Sequence, residues 1–236
     1  MKIKLLVAVA ATVLASSAMA QSAFQGFYGQ LATGYESNSA SNLNYTGTQS
    51  SQPNDTWNTS SQTFGGAALV LGAGYNYSVA PKWLVGVGID YSALSQKSSA
   101  YSSSAGSTTL SGSTLQTSNR FNIFVTPGYE IDKDKLVYLK AGYSSVSIQQ
   151  QTATTYKNAT SSGPLVNTNS TSTQGGYVVG LGYKQIITGG IYGFAEGNYM
   201  SYGKPSFSVT QTDGYKLTSN PSLNSYQLLI GVGYKF

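Results

Sequence analysis

The stretch Tyr226-Gln227-Leu228-Leu229-Ile230-Gly231-Val232-Gly233-Tyr234-Lys235-Phe236 decides the fold. Taken by twos from its last residue, Phe236, Tyr234, Val232, Ile230, Leu228 and Tyr226 form one set. Lys235, Gly233, Gly231, Leu229 and Gln227 form the other. Side chains alternate across a β-strand, so a period of two describes a strand with one apolar face and one mostly small or polar face.

The alternation recurs seven more times. It predicts strands near Phe24–Tyr35, Thr63–Tyr77, Trp83–Leu94, Gln116–Ile131, Leu136–Gln149, Gln174–Ile187 and Ile191–Tyr202, with the last near Ser222–Phe236. The connections alternate in length. Those around Ser37–Gln62, Tyr101–Leu115, Gln150–Thr173 and Gly203–Pro221 are long and rich in Ser, Thr and Asn. Those at Ser78–Lys82, Asp132–Lys135 and Thr188–Gly190 are short and carry turn formers: Pro81, Asp132-Lys133-Asp134-Lys135 and Gly189-Gly190. An even strand number with long and short connections at opposite ends predicts an all-β fold, a transmembrane eight-stranded antiparallel up-and-down β-barrel.

Period two does not say which face points inward, and a soluble barrel would put its apolar face inside. Aromatic placement separates the two. On the apolar faces Tyr75, Tyr77, Trp83, Tyr129, Tyr183, Tyr234 and Phe236 lie near the short turns, and Tyr35, Tyr91, Phe121, Tyr143, Tyr177 and Tyr226 near the long loops. Aliphatic residues such as Leu71, Val87, Ile123, Leu139, Leu181 and Ile230 lie between them. Two aromatic girdles around an aliphatic band describe a surface that faces lipid.

Composition agrees. Only 9% of residues are charged, against about 25% in ordinary globular proteins. The formal charge is +5 with the basic residues scattered, so nucleic-acid binding is not expected. With no Cys there are no disulfides or thiolate metal sites. At the N-terminus, Lys2 and Lys4, the apolar run Leu5–Leu14 and the small-x-small triplet Ala18-Met19-Ala20 predict a signal peptide over residues 1–20. Cleavage before Gln21 would leave the barrel domain at 21–236.

With the apolar set outside, Asp90, Arg120, Glu130, Lys140, Lys184, Glu196 and Lys235 face the interior, interleaved with glycines. Unpaired charges in so narrow a space cost several kcal/mol, so pairs are expected, with Arg120–Glu196 or Lys140–Glu196 forming an upper plug. Eight strands enclose only enough room for side chains. The expected role is therefore a structural polar core. Keeping Glu196 inside turns Tyr192, Phe194 and Met200 inward too, with Ala195 and Gly197 outside. Asp132 and Asp134 are far short of the six to eight oxygen ligands that calcium takes. No cofactor is expected.

The whole expected mature chain resembles the eight-stranded outer-membrane barrels of the opacity and outer-membrane-protein-A-like family. The resemblance is carried by Gly72-Ala73-Gly74-Tyr75-Asn76-Tyr77, Ala195-Glu196-Gly197-Asn198-Tyr199 and Gly231-Val232-Gly233-Tyr234-Lys235-Phe236. It implies a Gram-negative outer-membrane protein of the surface-antigen kind. The order of long and short connections puts both termini on the periplasmic, short-turn side. Unlike outer-membrane protein A proper, the chain is expected to stop at the barrel, without a peptidoglycan-binding domain. The resemblance also implies a surround of outer-membrane lipid and lipopolysaccharide, handling by periplasmic chaperones and the barrel-insertion machinery, and Tyr234 and Phe236 as the assembly signal. Enzymes among such barrels resemble one another in needing a His as base or partner, and this chain has none. Two functions stay open: a non-enzymatic structural or surface-binding protein, with an unknown ligand met by four long loops, or a narrow porin-like channel.

Overall fold

Alternation in sequence becomes alternation in burial. On β3 (Trp83–Ser92), Leu84, Gly86, Gly88, Asp90 and Ser92 are buried while Trp83, Val85, Val87, Ile89 and Tyr91 are exposed. The other long strands repeat this: β1 (Gly26–Ser41), β2 (Gln62–Ala80), β4 (Thr108–Asp132), β5 (Lys135–Gln151), β6 (Asn169–Thr188), β7 (Ile191–Tyr202) and β8 (Ser222–Lys235). Each pairs antiparallel with its sequence neighbour. β8 returns to β1, with Tyr28 opposite Lys235 and Ser41 opposite Ser222. The ring is closed, so none of these strands has a free edge. The computed structural model describes residues 22–49, 53–157, 162–166, 168–211 and 214–236. The expected leader, with Ala18, Ala20 and Gln21, lies outside them.

The girdles form as aromatic contacts, most of them between neighbouring strands. Near the short turns, Phe27 meets Tyr75 at 4.7 Å and Trp83 meets Tyr129 at 5.0 Å, and Tyr234 packs on Phe236 at 5.1 Å, all edge-on. Near the long loops, Tyr199 lies 6.1 Å from Tyr177 and 5.1 Å from Tyr226. Between the girdles the exposed residues are aliphatic, Leu228, Ile230 and Leu181 among them. Inside, glycine clears room for rings. A Cβ at Gly182 would overlap Tyr138, and one at Gly233 would overlap Tyr192.

The long connections, expected only as loops rich in Ser, Thr and Asn, carry strands of their own. Among the described residues they hold eight further short strands: Tyr45–Thr48, Asp55–Thr59, Gln96–Lys97, Tyr101–Ala105, Thr155–Lys157, Ser162–Val166, Phe207–Gln211 and Lys216–Ser219. Seven of these join the far end of β4 in a second closed ring. The order runs from Tyr45–Thr48 through Asp55–Thr59, Tyr101–Ala105, β4, Thr155–Lys157, Ser162–Val166 and Phe207–Gln211 to Lys216–Ser219, which pairs back with Tyr45–Thr48. A tilted strand needs about 9–11 residues to cross a bilayer. β4 has 25, so more than half of it stands beyond the band.

The two storeys have opposite polarity. On β5 the outward residues run Leu139, Ala141, Tyr143 and then Ser145, Ser147, Gln149, while the inward ones run Lys140, Gly142, Ser144 and then Val146, Ile148, Gln150. Next to lipid the apolar face is outside. Beyond the second girdle the outside is hydroxyl and amide, and the inside is a water-excluding core. The switch on β4 needs a register change. There Thr117 and Arg120 are both buried, three apart, and the pairing with β5 shifts between Ser118 and Phe121. Asn119 takes φ 51°, the left-handed conformation that Asn tolerates. This bulge puts Arg120 inside while keeping Phe121, Ile123 and Val125 on the lipid face.

Candidate functional site

Among the described residues six charged side chains are buried in the interior, and β5 serves as a ruler through it. From the short-turn end upward it contributes Leu136, Tyr138, Lys140, Ser144, Val146, Ile148 and Gln150. Taken in order, they pass through the successive fillings of the lumen.

Tyr138 forms part of a cage around Lys184. The Lys184 ammonium lies 4.2 Å from the ring centre of Tyr28, 5.1 Å from Tyr138 and 5.0 Å from Tyr192. It is buried, and among the described residues it makes no ion pair. Three aromatic faces supply the electrostatic attraction that a carboxylate would otherwise give.

One step up, Lys140 joins two strands' carboxylates. Its Nζ donates to Asp90 Oδ2 at 2.6 Å and Glu196 Oε1 at 2.9 Å. Asn122 donates to Asp90 at 2.6 Å, Asn198 to Glu196 at 2.8 Å and the Tyr138 hydroxyl to Glu196 Oε2 at 2.7 Å. Lys140 also lies 4.2 Å from the Phe124 ring centre. This is one of the two contacts expected for Glu196.

The other is replaced. Arg120 does not meet Glu196 but pairs with Glu36 on β1, both 2% exposed. Its guanidinium also donates to Asn38 at 3.1 Å, Ser225 at 3.0 Å and the Tyr202 hydroxyl at 2.8 Å, and Gln227 donates to Glu36 at 2.8 Å. Glu36 is not in the expected interior set because the first predicted strand ends at Tyr35. The signal was present in the chain. Tyr28, Gln30, Ala32 and Gly34 continue by twos to Glu36.

Among the described residues three acids (Glu36, Asp90, Glu196) and three bases (Arg120, Lys140, Lys184) are buried. The filling is neutral as a whole, and Lys184 offsets the second carboxylate of the Lys140 cluster. The remaining two expected residues lie at the short-turn mouth. Glu130 accepts from the Ser22 hydroxyl, and Lys235 is half-buried beside Gly26. Tyr192, Phe194 and Met200 point inward with Glu196, and Ala195 points outward.

Above Arg120 the lumen turns apolar, with Phe64, Leu115, Val146, Ile148, Met200 and Leu223 in one buried cluster. A polar tier follows, in which Gln150 donates to the Tyr45 hydroxyl and Tyr45 lies 3.3 Å from Thr152. The second ring then closes over Trp57, Leu110, Leu165, Val209 and Leu217. At its rim the Tyr215 hydroxyl donates to Asp55 at 2.5 Å and accepts from Trp57 Nε1 at 2.8 Å. Burial, with the Asp55 carboxylate beside it, pushes this phenol up to about 12.

At the opposite end, Asp132 accepts from the Lys133 N–H at 2.9 Å and pairs with Lys135 at 3.4 Å. Both hold its carboxyl below the usual range. No group of three or more metal-ligating side chains occurs among the described residues.

A family model described as the outer membrane protein β-barrel domain matches residues 6–236. Among solved structures, the outer membrane protease OmpT from Escherichia coli is similar at 10% identity and TM-score 0.53, over 94% of this chain and 100% of that one. The outer membrane protein OprG from Pseudomonas aeruginosa is similar at 15% identity and TM-score 0.52, over 90% and 96%. Neisserial surface protein A gives 19% identity and TM-score 0.42, over 90% and 98%. No curated protein matches the sequence. At these identities the likeness concerns the fold.

Proposed function

The chain belongs to the family of outer membrane protein β-barrel domains, and on that premise we propose that it is a non-enzymatic surface protein of the bacterial outer membrane. Its long-loop end faces outward and both termini face the periplasm. The observation that carries this reading is the filled lumen: the Lys184 cage, the Lys140 and Arg120 clusters and two apolar cores succeed one another along one axis. A channel needs a continuous wet path, and the buried apolar cluster of Phe64, Val146 and Met200 interrupts it.

Several features support the absence of catalysis. The chain has no His, and each fully buried carboxylate is engaged by a cation. The second ring supplies what a surface protein needs, a fixed platform for the rim residues that meet an outside partner. Planar-bilayer recording of the purified protein tests the proposal. The expected result is silence or brief small flickers. A steady ohmic conductance would favour the porin-like alternative.

A further inference from the structure

We propose that Ser22–Gln25 form a plug that crosses the short-turn mouth and keeps water from Lys184. Around the ring, β5 is the fourth strand from β1 in either direction, so the wall opposite the start of β1 is β5. Phe24 reaches that wall. It is buried against Leu136 and Tyr138 of β5 and Leu84 of β3, with Ile186 of β6 beside them. The crossing is fixed by polar contacts. The Phe24 carbonyl accepts from Asn76 at 3.1 Å, and its N–H donates to the Ser22 hydroxyl at 3.1 Å. Gln25 N–H donates to the Ser22 carbonyl at 3.1 Å, closing a tight turn. The Ser22 hydroxyl in turn donates to Glu130.

One residue makes the diversion possible. Gly26 has φ +126°, a conformation other residues rarely adopt, and there the chain leaves the wall direction of β1 for the axis. The plug sits directly under the cage, because Tyr138 belongs both to the seat of Phe24 and to the rings around Lys184. A cation held by aromatic faces rather than by a carboxylate depends on exclusion of water, which competes well for an ammonium. The four residues therefore act as an intramolecular cork at the end opposite the second ring.

The test is acetylation of lysines by a small water-soluble reagent, read by mass spectrometry on the purified protein in detergent. Lys184 and Lys140 are compared between parent and Phe24→Ala. Lys184 is expected to react about tenfold faster in the variant, as for loss of a local closing contact, with Lys140, one tier deeper, unchanged. An unchanged Lys184 rate overturns the plug. A parallel rise at Lys140 also overturns it, because the whole barrel has then loosened. If Phe24→Ala yields no heat-modifiable band, the comparison is made with Ser22→Ala/Glu130→Gln. That variant keeps the ring, frees the anchor and is expected to give a smaller rise at Lys184 alone; no rise there overturns the proposal.

Discussion

Arg120 and Lys140 are both buried cations, yet their surroundings make different demands on their partners. Arg120 has one carboxylate, Glu36, and three neutral acceptors. Lys140 has two carboxylates, Asp90 and Glu196. Glu36→Gln leaves a buried guanidinium with no counter-charge and should cost about 3–5 kcal/mol. Glu196→Gln leaves Lys140 paired with Asp90 and removes one charged acceptor, so about 1–3 kcal/mol is expected. Urea unfolding of the two variants checks the order. Equal losses would mean that Arg120 draws its stability from Asn38, Ser225 and Tyr202 rather than from Glu36. Glu36 also shows how close the interior came to being fully legible. Its strand needed one more step of two, but a run of Ser and Asn after Tyr35 has the composition of a loop.

At the scale of elements, the single-residue bulge at Asn119 sets which face of β4 meets lipid. Because the side-chain period is two, deleting Asn119 must either turn Phe121, Ile123 and Val125 inward or turn Leu115 and Thr117 outward. The Asn119 deletion is therefore expected to abolish the heat-modifiable form in outer-membrane fractions. Asn119→Gly, which keeps the count and tolerates φ 51°, should retain it. Efficient insertion of the deletion would show that the bulge is not what separates the storeys. The lipid-facing halves of the strands were readable because aliphatic and charged or glycine residues alternate with strong contrast. Beyond the second girdle, Ser, Thr and Gln outside a thin apolar interior give weak contrast. Leu43, Tyr45, Leu110, Leu165 and Leu217 read singly as scattered residues, and only the second ring brings them to one axis.

The whole molecule is one wall in two solvents. In the band, lipid favours the aliphatic outside, and the interior charges must neutralise one another. Beyond the band, water solvates the hydroxyls outside, and burial of Leu110, Val146, Leu217 and their neighbours stabilises the inside at about 1.5–3 kcal/mol for each fully buried side chain. The long connections complete a second closed ring, which seals the barrel and fixes its outer rim. Hydrogen exchange of the protein in lipid vesicles tests it most directly, at the ring strands Tyr45–Thr48 and Lys216–Ser219, whose backbones pair with each other. Their amides are expected to exchange as slowly as those of β1 within the band. Exchange at the rate of an unstructured chain would contradict the second ring, and with it the platform on which the proposed surface role rests.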